Sequence, residues 1–330
     1  MTRGLTASVE RYPIAGAFTI ARGSKTVAEV LVARIGDPAR ETAWGWAESL
    51  PYARYDETPA SCLAQIADLA GTVGANLDRS RLQSLQPPGA ARNAVDCALW
   101  DLEARRAGRR VWELAGLPAP VPVVTAYTLS LAAPEVMAAA ARAAADRPIL
   151  KLKIGGPDDL ARVAAVRAAA PDSRLIVDAN EGLDFDALRR LLPDFARLGV
   201  ALIEQPLKAG EDDDLVGFDS PVPLCADESL HTRAELAHCA RRYACVNLKL
   251  DKTGGLTEAI ALAAEARARG LMIMVGCMVA TSLSMAPALL LAGQAEFVDL
   301  DGPLLLARDR ENGLTYDGSW VAPASPSLWG

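Results

Sequence analysis

The chain has 330 residues, 51% hydrophobic and 23% charged, long enough to bury a large barrel with a smaller domain beside it. Acidic residues outnumber basic ones 41 to 34 for a net charge of -7, and no basic run could track a phosphate backbone, so nucleic acid is not expected as a partner. No apolar stretch has the length of a membrane span, and MTRGLTASVERYP lacks the pattern of an export signal, so a soluble cytoplasmic protein with no membrane partner is expected.

In chain order, extended segments come first (ASVERYPI, EVLVARI, AWGWAES), followed by two of helical period, SCLAQIADLAGTVGANL and ARNAVDCALWDLEARRAG. Strands followed by helices predict a separate α+β domain over residues 1–120. From Val121 onward, eight β-branched runs alternate with Ala- and Arg-rich helical segments: VPVVTAYTLS, ILKLKIG, RLIVDANE, ALIEQPL, PLCADE, CVNLKLDK, MIMVGC and FVDLDG. Their spacing of roughly 22 to 28 residues suits strand, helix and two loops, which predicts a TIM-like barrel over 121–304. The last strand lacks a full helix after it, so the expected form is (β/α)7β. The tail, 305–330, is rich in Gly, Pro, Ser and aromatics and is expected to fold back onto the N-terminal capping domain.

The six cysteines are scattered, with no C-x-x-C pair and no histidine at zinc-ligand spacing, and read as free thiols in a reducing compartment. The two histidines, His231 and His238, are a thin basis for acid/base chemistry. The charges on the strands are more telling. Residues two apart on a strand face the same way, and barrel enzymes work at the C-terminal strand ends. Lys151 and Lys153 share a face on the second run, Asp178 and Asn180 on the third, Asn247, Lys249 and Asp251 on the sixth, and Asp299 and Asp301 on the eighth.

Asp178, Glu204 and Asp227 end the third, fourth and fifth strands. One such acid could simply cap a helix, but three on neighbouring strands favour a hard cation, Mg2+ or Mn2+, over zinc. Asn180 stands beside them in a supporting place. The second and sixth strands of an eight-strand ring are opposed, so Lys153 and Lys249 face each other across the mouth. That suits removal of a proton from one face of a carbon and its return to the other, provided that a lysine is neutral. A nearby metal ion and the second ammonium of Lys151 are expected to lower its pKa.

These residues, with IARGS around Arg22, ESLPYARYDET, GAARNAVDCALWDL, VDANE, EQP, CADES, VNLKLDKTGG, GCM and DLDGP, resemble the enolase superfamily. The likeness is to its muconate-lactonizing-enzyme-like branch and, within that, to the L-Ala-D/L-Glu dipeptide epimerases. The resemblance implies one Mg2+ per subunit on Asp178, Glu204 and Asp227, and acid/base catalysis by Lys153 and Lys249. It implies that Lys151 is the electrophile stabilising an enolate. It further implies that Asp299 and Asp301 receive the α-ammonium of a dipeptide, and that Arg22, on a mobile N-terminal loop, binds the glutamate side chain. A homo-oligomer and a role in peptidoglycan peptide metabolism belong to the same expectation. Racemisation of an N-acyl amino acid such as N-acetyl-glutamate, or cycloisomerisation, are the alternatives. A phosphate-binding module at Lys252, Thr253, Gly254 and Gly255 lacks the full P-loop order and is set aside.

Overall fold

The computed structural model describes residues 4–37, 44–73 and 77–330. Ala43 and residues 74–76, which the sequence assigns to a strand and to the end of a helix, lie outside them. The N-terminal part is a three-stranded antiparallel sheet, β1 (Gly4–Ile20), β2 (Gly23–Gly36) and β3 (Trp44–Ser49), followed by helices α1 (Pro59–Val73), α2 (Arg79–Leu85), α3 (Ala90–Ala107) and α4 (Val111–Leu114).

Helix α3 is buried along nearly its whole length, polar residues included, because each of these has a partner. Asp96 accepts from Thr257 N–H at 2.9 Å, and Asp101 accepts from Trp46 N–H at 3.1 Å and Gly330 N–H at 2.9 Å. One helix thus binds sheet, barrel and tail together. Gly45 lets β3 lie close against it: a Cβ there would come within 2.3 Å of Leu102 N.

After a two-residue strand β4 (Val123–Val124), the barrel strands are β5 (Tyr127–Leu129), β6 (Ile149–Lys153), β7 (Arg174–Asp178), β8 (Val200–Glu204), β9 (Leu224–Ala226), β10 (Cys245–Leu248), β11 (Met272–Gly276) and β12 (Phe297–Asp299). They pair in parallel in sequence order. The ring closes where Ala126 N–H donates to Val298 O at 2.8 Å, and Leu300 N–H to Thr125 Oγ1 at 2.8 Å. Intervening helices are α5 (Pro134–Ala143), α6 (Asp159–Ala169), α7 (Phe185–Arg197), α8 (Arg233–Cys239), α9 (Leu250–Thr253), α10 (Leu256–Ala268) and α11 (Ser282–Ala292). Ala126, Ile176, Leu202, Cys225, Cys245, Met274 and Phe297 fill the barrel floor.

Three local expectations are corrected. Between β8 and β9 there is a 3₁₀ turn, Asp213–Leu215, and no α-helix; Pro206, Gly210, Gly217, Pro221 and Pro223 break any longer helical run there. The run from Val121 is not one strand: β4 pairs with the tail strand β14 (Trp320–Val321), itself paired with β13 (Tyr316–Asp317), and only Tyr127–Leu129 joins the barrel. The tail therefore binds the barrel as well as the cap, where Trp329 Nε1 donates to Cys97 O at 3.1 Å. Asp251 lies in α9, beyond the end of β10, and accepts from Leu50 N–H and Asn93 Nδ2 of the cap rather than facing the barrel mouth.

Candidate active site

The lysines and acids meet because the strands fix them at one level. Lys153 is in register with Asp178, and Asp178 with Glu204. Glu204 pairs with Cys225, and Asp227, two residues on and just past the end of β9, turns to the same side. All three carboxylates are buried. Lys153 Nζ lies 2.5 Å from Asp178 Oδ2; Lys151 Nζ lies 3.1 Å from the same oxygen, 2.7 Å from Glu204 Oε2 and 2.7 Å from Asp299 Oδ2. Across the ring, Lys249 Nζ is 2.6 Å from Asp227 Oδ2 and 3.7 Å from Glu204 Oε1. Lys153 ends β6 and Lys249 directly follows β10, and these strands are four places apart in the eight-stranded order.

The backbone is strained here. Asn180 (φ +44°), Glu181 (φ +69°) and Gln205 (φ +34°) hold left-handed conformations just past β7 and β8, which cost energy and persist where surrounding bonds fix them. Asn180 N–H donates to Asp178 Oδ1 at 3.0 Å, and its Nδ2 approaches Glu228 Oε1 at 3.4 Å. Gln205 Oε1 accepts from Asp227 N–H at 2.8 Å and Ser229 N–H at 3.0 Å.

Electrostatics follow from burial and proximity. Burial pushes the Glu204 carboxyl up to about 7, with Asp178 adding to it. Burial would also raise Asp178, but Lys153, Lys151 and Lys249 outweigh it and hold that carboxyl below its usual range. Asp301 is pushed up to about 7 by burial and by Asp299. Lys151 acts on Lys249 in the expected lowering sense, and the acids act against it. Burial opposes the charge on Lys249, yet Asp227 and Glu204 keep its ammonium well above the ordinary range, and Asp299, Glu204 and Asp178 do the same for Lys151.

A divalent cation fits the donor set. The side chains of Asp178, Glu204 and Asp227 offer only oxygen, as Mg2+ requires, and Glu204 Oε2 is buried with no well-oriented hydrogen bond despite its contact with Lys151. As the side chains stand, ammonium groups lie against the acids, and among the described residues no three ligating side chains converge as a finished cage. A cation would take over the charge compensation that the lysines now give.

Above this level lies a cavity of about 850 Å³. Arg22, at the turn of the β1–β2 hairpin rather than on an irregular loop, donates to Asn180 O at 2.7 Å, Glu181 Oε2 at 3.0 Å, Tyr52 Oη at 3.1 Å and Glu228 Oε1 at 2.8 Å. On the far side Asp301 Oδ2 accepts from Thr128 N–H at 2.6 Å, and Asp299 keeps Oδ1 buried without a hydrogen-bond partner. Several neighbours were not singled out from sequence. Glu228 follows Asp227, and Glu181 makes a two-bond pair with Arg54 at 2.7 Å each. Tyr55 packs edge-on to His231 with ring centroids 4.5 Å apart. Lys252, weighed from sequence only for a phosphate site, instead puts its Nζ 2.6 Å from Asp227 Oδ1. The adjacency of Glu228 and Glu181 to the acid motifs was a visible signal; the tyrosines come from the cap, and only folding brings them here.

Residues 135–316 match the family described as enolase C-terminal domain-like, and residues 4–116 match the mandelate racemase / muconate lactonizing enzyme N-terminal domain. The chain belongs to the enolase superfamily. An N-acetyl-D-glutamate racemase from a Pseudoalteromonas species is 48% identical over 87% of this chain and 91% of its own. An L-Ala-D/L-Glu epimerase from Escherichia coli is 46% identical over 93% and 95%. A crystal structure of an enolase family member from Agrobacterium tumefaciens with homology to dipeptide epimerases, holding sodium and L-Ala-L-Glu, has a TM-score of 0.96 at 52% identity, covering 99% of this chain and all of that one. A dipeptide epimerase from Methylococcus capsulatus, with Mg and L-Arg-D-Lys, superposes with a TM-score of 0.88 at 29% identity, covering 98% and 97%. Magnesium is thus found in superfamily relatives with this fold. Among the described residues no helix is long and apolar enough to cross a membrane.

Proposed function

We propose that this superfamily member is a dipeptide epimerase that inverts the α-carbon of the second residue in peptides of the L-Ala-Glu type. The observation that carries the reading is the placing of Lys153 and Lys249 on opposed strands, with acids between them on one flank and Asp299 and Asp301 on the other. Asp178, Glu204 and Asp227 would hold the cation, Mg2+ with Mn2+ as the alternative and one per chain; when bound it supplies positive charge to the substrate carboxylate as the adjacent carbon loses its proton.

One lysine, as the neutral amine, takes that proton from one face, and the other, as the ammonium, returns a proton to the opposite face. Lys151 stays protonated and donates to the carboxylate oxygen on which charge develops. Asp299 Oδ1, unpaired in this structure, accepts from the α-ammonium with Asp301 beside it, and Arg22 at the other end of the cavity reads the glutamate carboxylate. Asn180 orients Asp178 through its N–H. Were Asp178 and Asp227 to hold a cation, they would no longer stabilise the charge on Lys153 and Lys249, which would favour the neutral amine.

One observation favours a second reading, an N-acyl-glutamate racemase. Asp299 is already paired with Lys151, and Asp301, with a pKa near 7, is poorly suited to an ammonium, while the Pseudoalteromonas relative is named for that activity. The test is solvent deuterium uptake at the α-position of L-Ala-L-Glu and of N-acetyl-glutamate with Mg2+ present. Faster uptake by the dipeptide is expected; uptake by N-acetyl-glutamate alone reverses the order, and uptake by neither refutes both. Within this reading the enzyme works in the cytoplasm as a homo-oligomer on peptides released from peptidoglycan.

A further inference from the structure

Gln205 follows Glu204 at the end of β8, is wholly buried, and holds φ +34°. It precedes Pro206, where extended backbone with negative φ is favoured. Left-handed backbone at a residue other than glycine persists where its surroundings impose it, and here the ends of the two neighbouring strands do so. The Gln205 N–H donates to Cys225 O of β9 at 2.8 Å, and Gln205 O accepts from Glu181 N–H, beyond β7, at 2.9 Å. The side chain continues the pattern, since Oε1 accepts from both Asp227 N–H and Ser229 N–H.

The other end of the carboxamide is held from behind. Its Nε2 lies 2.8 Å from Leu207 O, 2.9 Å from Ser229 Oγ and 3.0 Å from Tyr243 Oη. With N–H donors on one side and a carbonyl on the other, only one orientation of the amide satisfies its neighbours. Both hydroxyls can accept from Nε2 because each donates its own proton to Asp212 Oδ2, at 2.7 Å in each case. Asp212 is fully buried in the loop that takes the place of a helix between β8 and β9. Burial alone would raise its pKa, but hydrogen bonds from Tyr243, Ser229 and His238 keep the carboxyl below its usual range, so it remains an acceptor. From Asp212 through two hydroxyls and one amide to the Asp227 N–H, each hydrogen bond polarises the next. Gln205, Asp212, Ser229 and Tyr243 all lie outside the lining of the catalytic cavity.

We propose that Gln205 is a positioning residue for the cation site: it fixes Asp227 relative to Glu204, and Asp212 holds it in place through Ser229 and Tyr243. The inference rests on the reading that Asp178, Glu204 and Asp227 take a divalent cation. The paired register of β8 and β9 stops at Glu204 and Cys225, short of Asp227, and the Gln205 amide ties down the next turn of chain. A glutamate in its place would set a carboxylate oxygen against Leu207 O. A methionine of similar length would leave the N–H groups of Asp227 and Ser229 without their acceptor.

The test measures the dissociation constant for Mn2+ by electron paramagnetic resonance, without substrate, in the wild type, Gln205→Met and Tyr243→Phe, with urea midpoints as the fold control. Gln205→Met should weaken Mn2+ binding roughly tenfold or more, as removal of a group that supports a metal ligand does. Tyr243→Phe leaves Ser229 Oγ on the amide and should weaken it by about two- to fivefold. Saturating Mg2+ should return deuterium uptake by Gln205→Met to within about threefold of the wild type, a rescue that a purely structural defect would not show. Mn2+ binding within about twofold of the wild type in both folded variants overturns the positioning role and leaves the cation reading standing. Should Gln205→Met not fold, Tyr243→Phe decides alone, and unchanged binding there overturns the role. A wild type that binds no Mn2+ refutes the cation reading, and the role of Gln205 falls with it.

Discussion

Removing either opposed lysine should separate proton exchange from inversion. Lys153→Ala deletes the 2.5 Å contact with Asp178, but Asp178 keeps Lys151 at 3.1 Å and the Asn180 N–H. Lys249→Ala deletes the 2.6 Å contact with Asp227, which keeps Lys252. Neither variant strands a wholly unpaired buried acid, so the stability loss should stay below the roughly 3–5 kcal/mol of a broken buried pair. Activity should fall further: loss of a general acid or base costs about 10²–10⁴-fold, or ~3–5 kcal/mol of transition-state stabilisation. The assay is mass-detected deuterium uptake in D2O, run separately on L-Ala-L-Glu and L-Ala-D-Glu with circular dichroism as the fold control. Each variant should lose epimerisation, and each should retain exchange with one diastereomer, the two variants choosing opposite ones. Retained inversion in either variant, or exchange of the same diastereomer by both, would refute the two-lysine geometry.

Three other outcomes are expected. Arg22→Met should raise KM for acidic dipeptides at least tenfold more than for neutral ones, since a charge-paired hydrogen bond to the substrate is lost; equal changes would show that Arg22 only pins Glu228 and Glu181. Arg310→Ala should destabilise the fold by about 3–5 kcal/mol, seen as a lowered urea midpoint, because Arg310 holds the fully buried Glu48 at 2.5 Å and Glu10 at 2.7 Å and so ties the tail to the cap; a shift under about 1 kcal/mol would mean that Thr281 alone satisfies Glu48. His231 is pushed down to about 4, chiefly by burial and then by Lys252. The unfolded chain therefore binds the extra proton first, and stability should fall by up to roughly 3 kcal/mol as pH drops from about 6.5 to 4. His231→Gln should flatten that part of the pH–stability curve, and an unchanged slope would show that His231 is not its source.

The βα period and the buried acids at the strand ends were legible because both obey short-range rules. Strand alternation puts Lys151 and Lys153 on one face, and counting strands puts Lys249 opposite. The same rules fail where an element ends. Asp251 keeps the two-residue spacing from Lys249, but β10 stops at Leu248 and the chain turns into α9, which sends Asp251 to the cap. Val123 and Val124 read as a barrel strand because β-branched residues suit any sheet, and only the arrival of Trp320 and Val321 decides which sheet they join. The charge on the lysines is not legible from spacing for a related reason. Their charge depends on how many carboxylates crowd within about 3 Å, a three-dimensional sum that no spacing reports.

By itself the sequence determined the order of the strands, the type of chemistry and the residues at the strand ends, since periodicity and residue type act over a few positions. Only the tertiary structure decided the upper half of the site. Arg22 and Arg54 of the cap reach Glu181 and Glu228 of the barrel over separations of 127 to 206 residues, and Tyr55 packs against His231. Such pairings depend on how two separately patterned surfaces pack, a relation that local pattern does not encode.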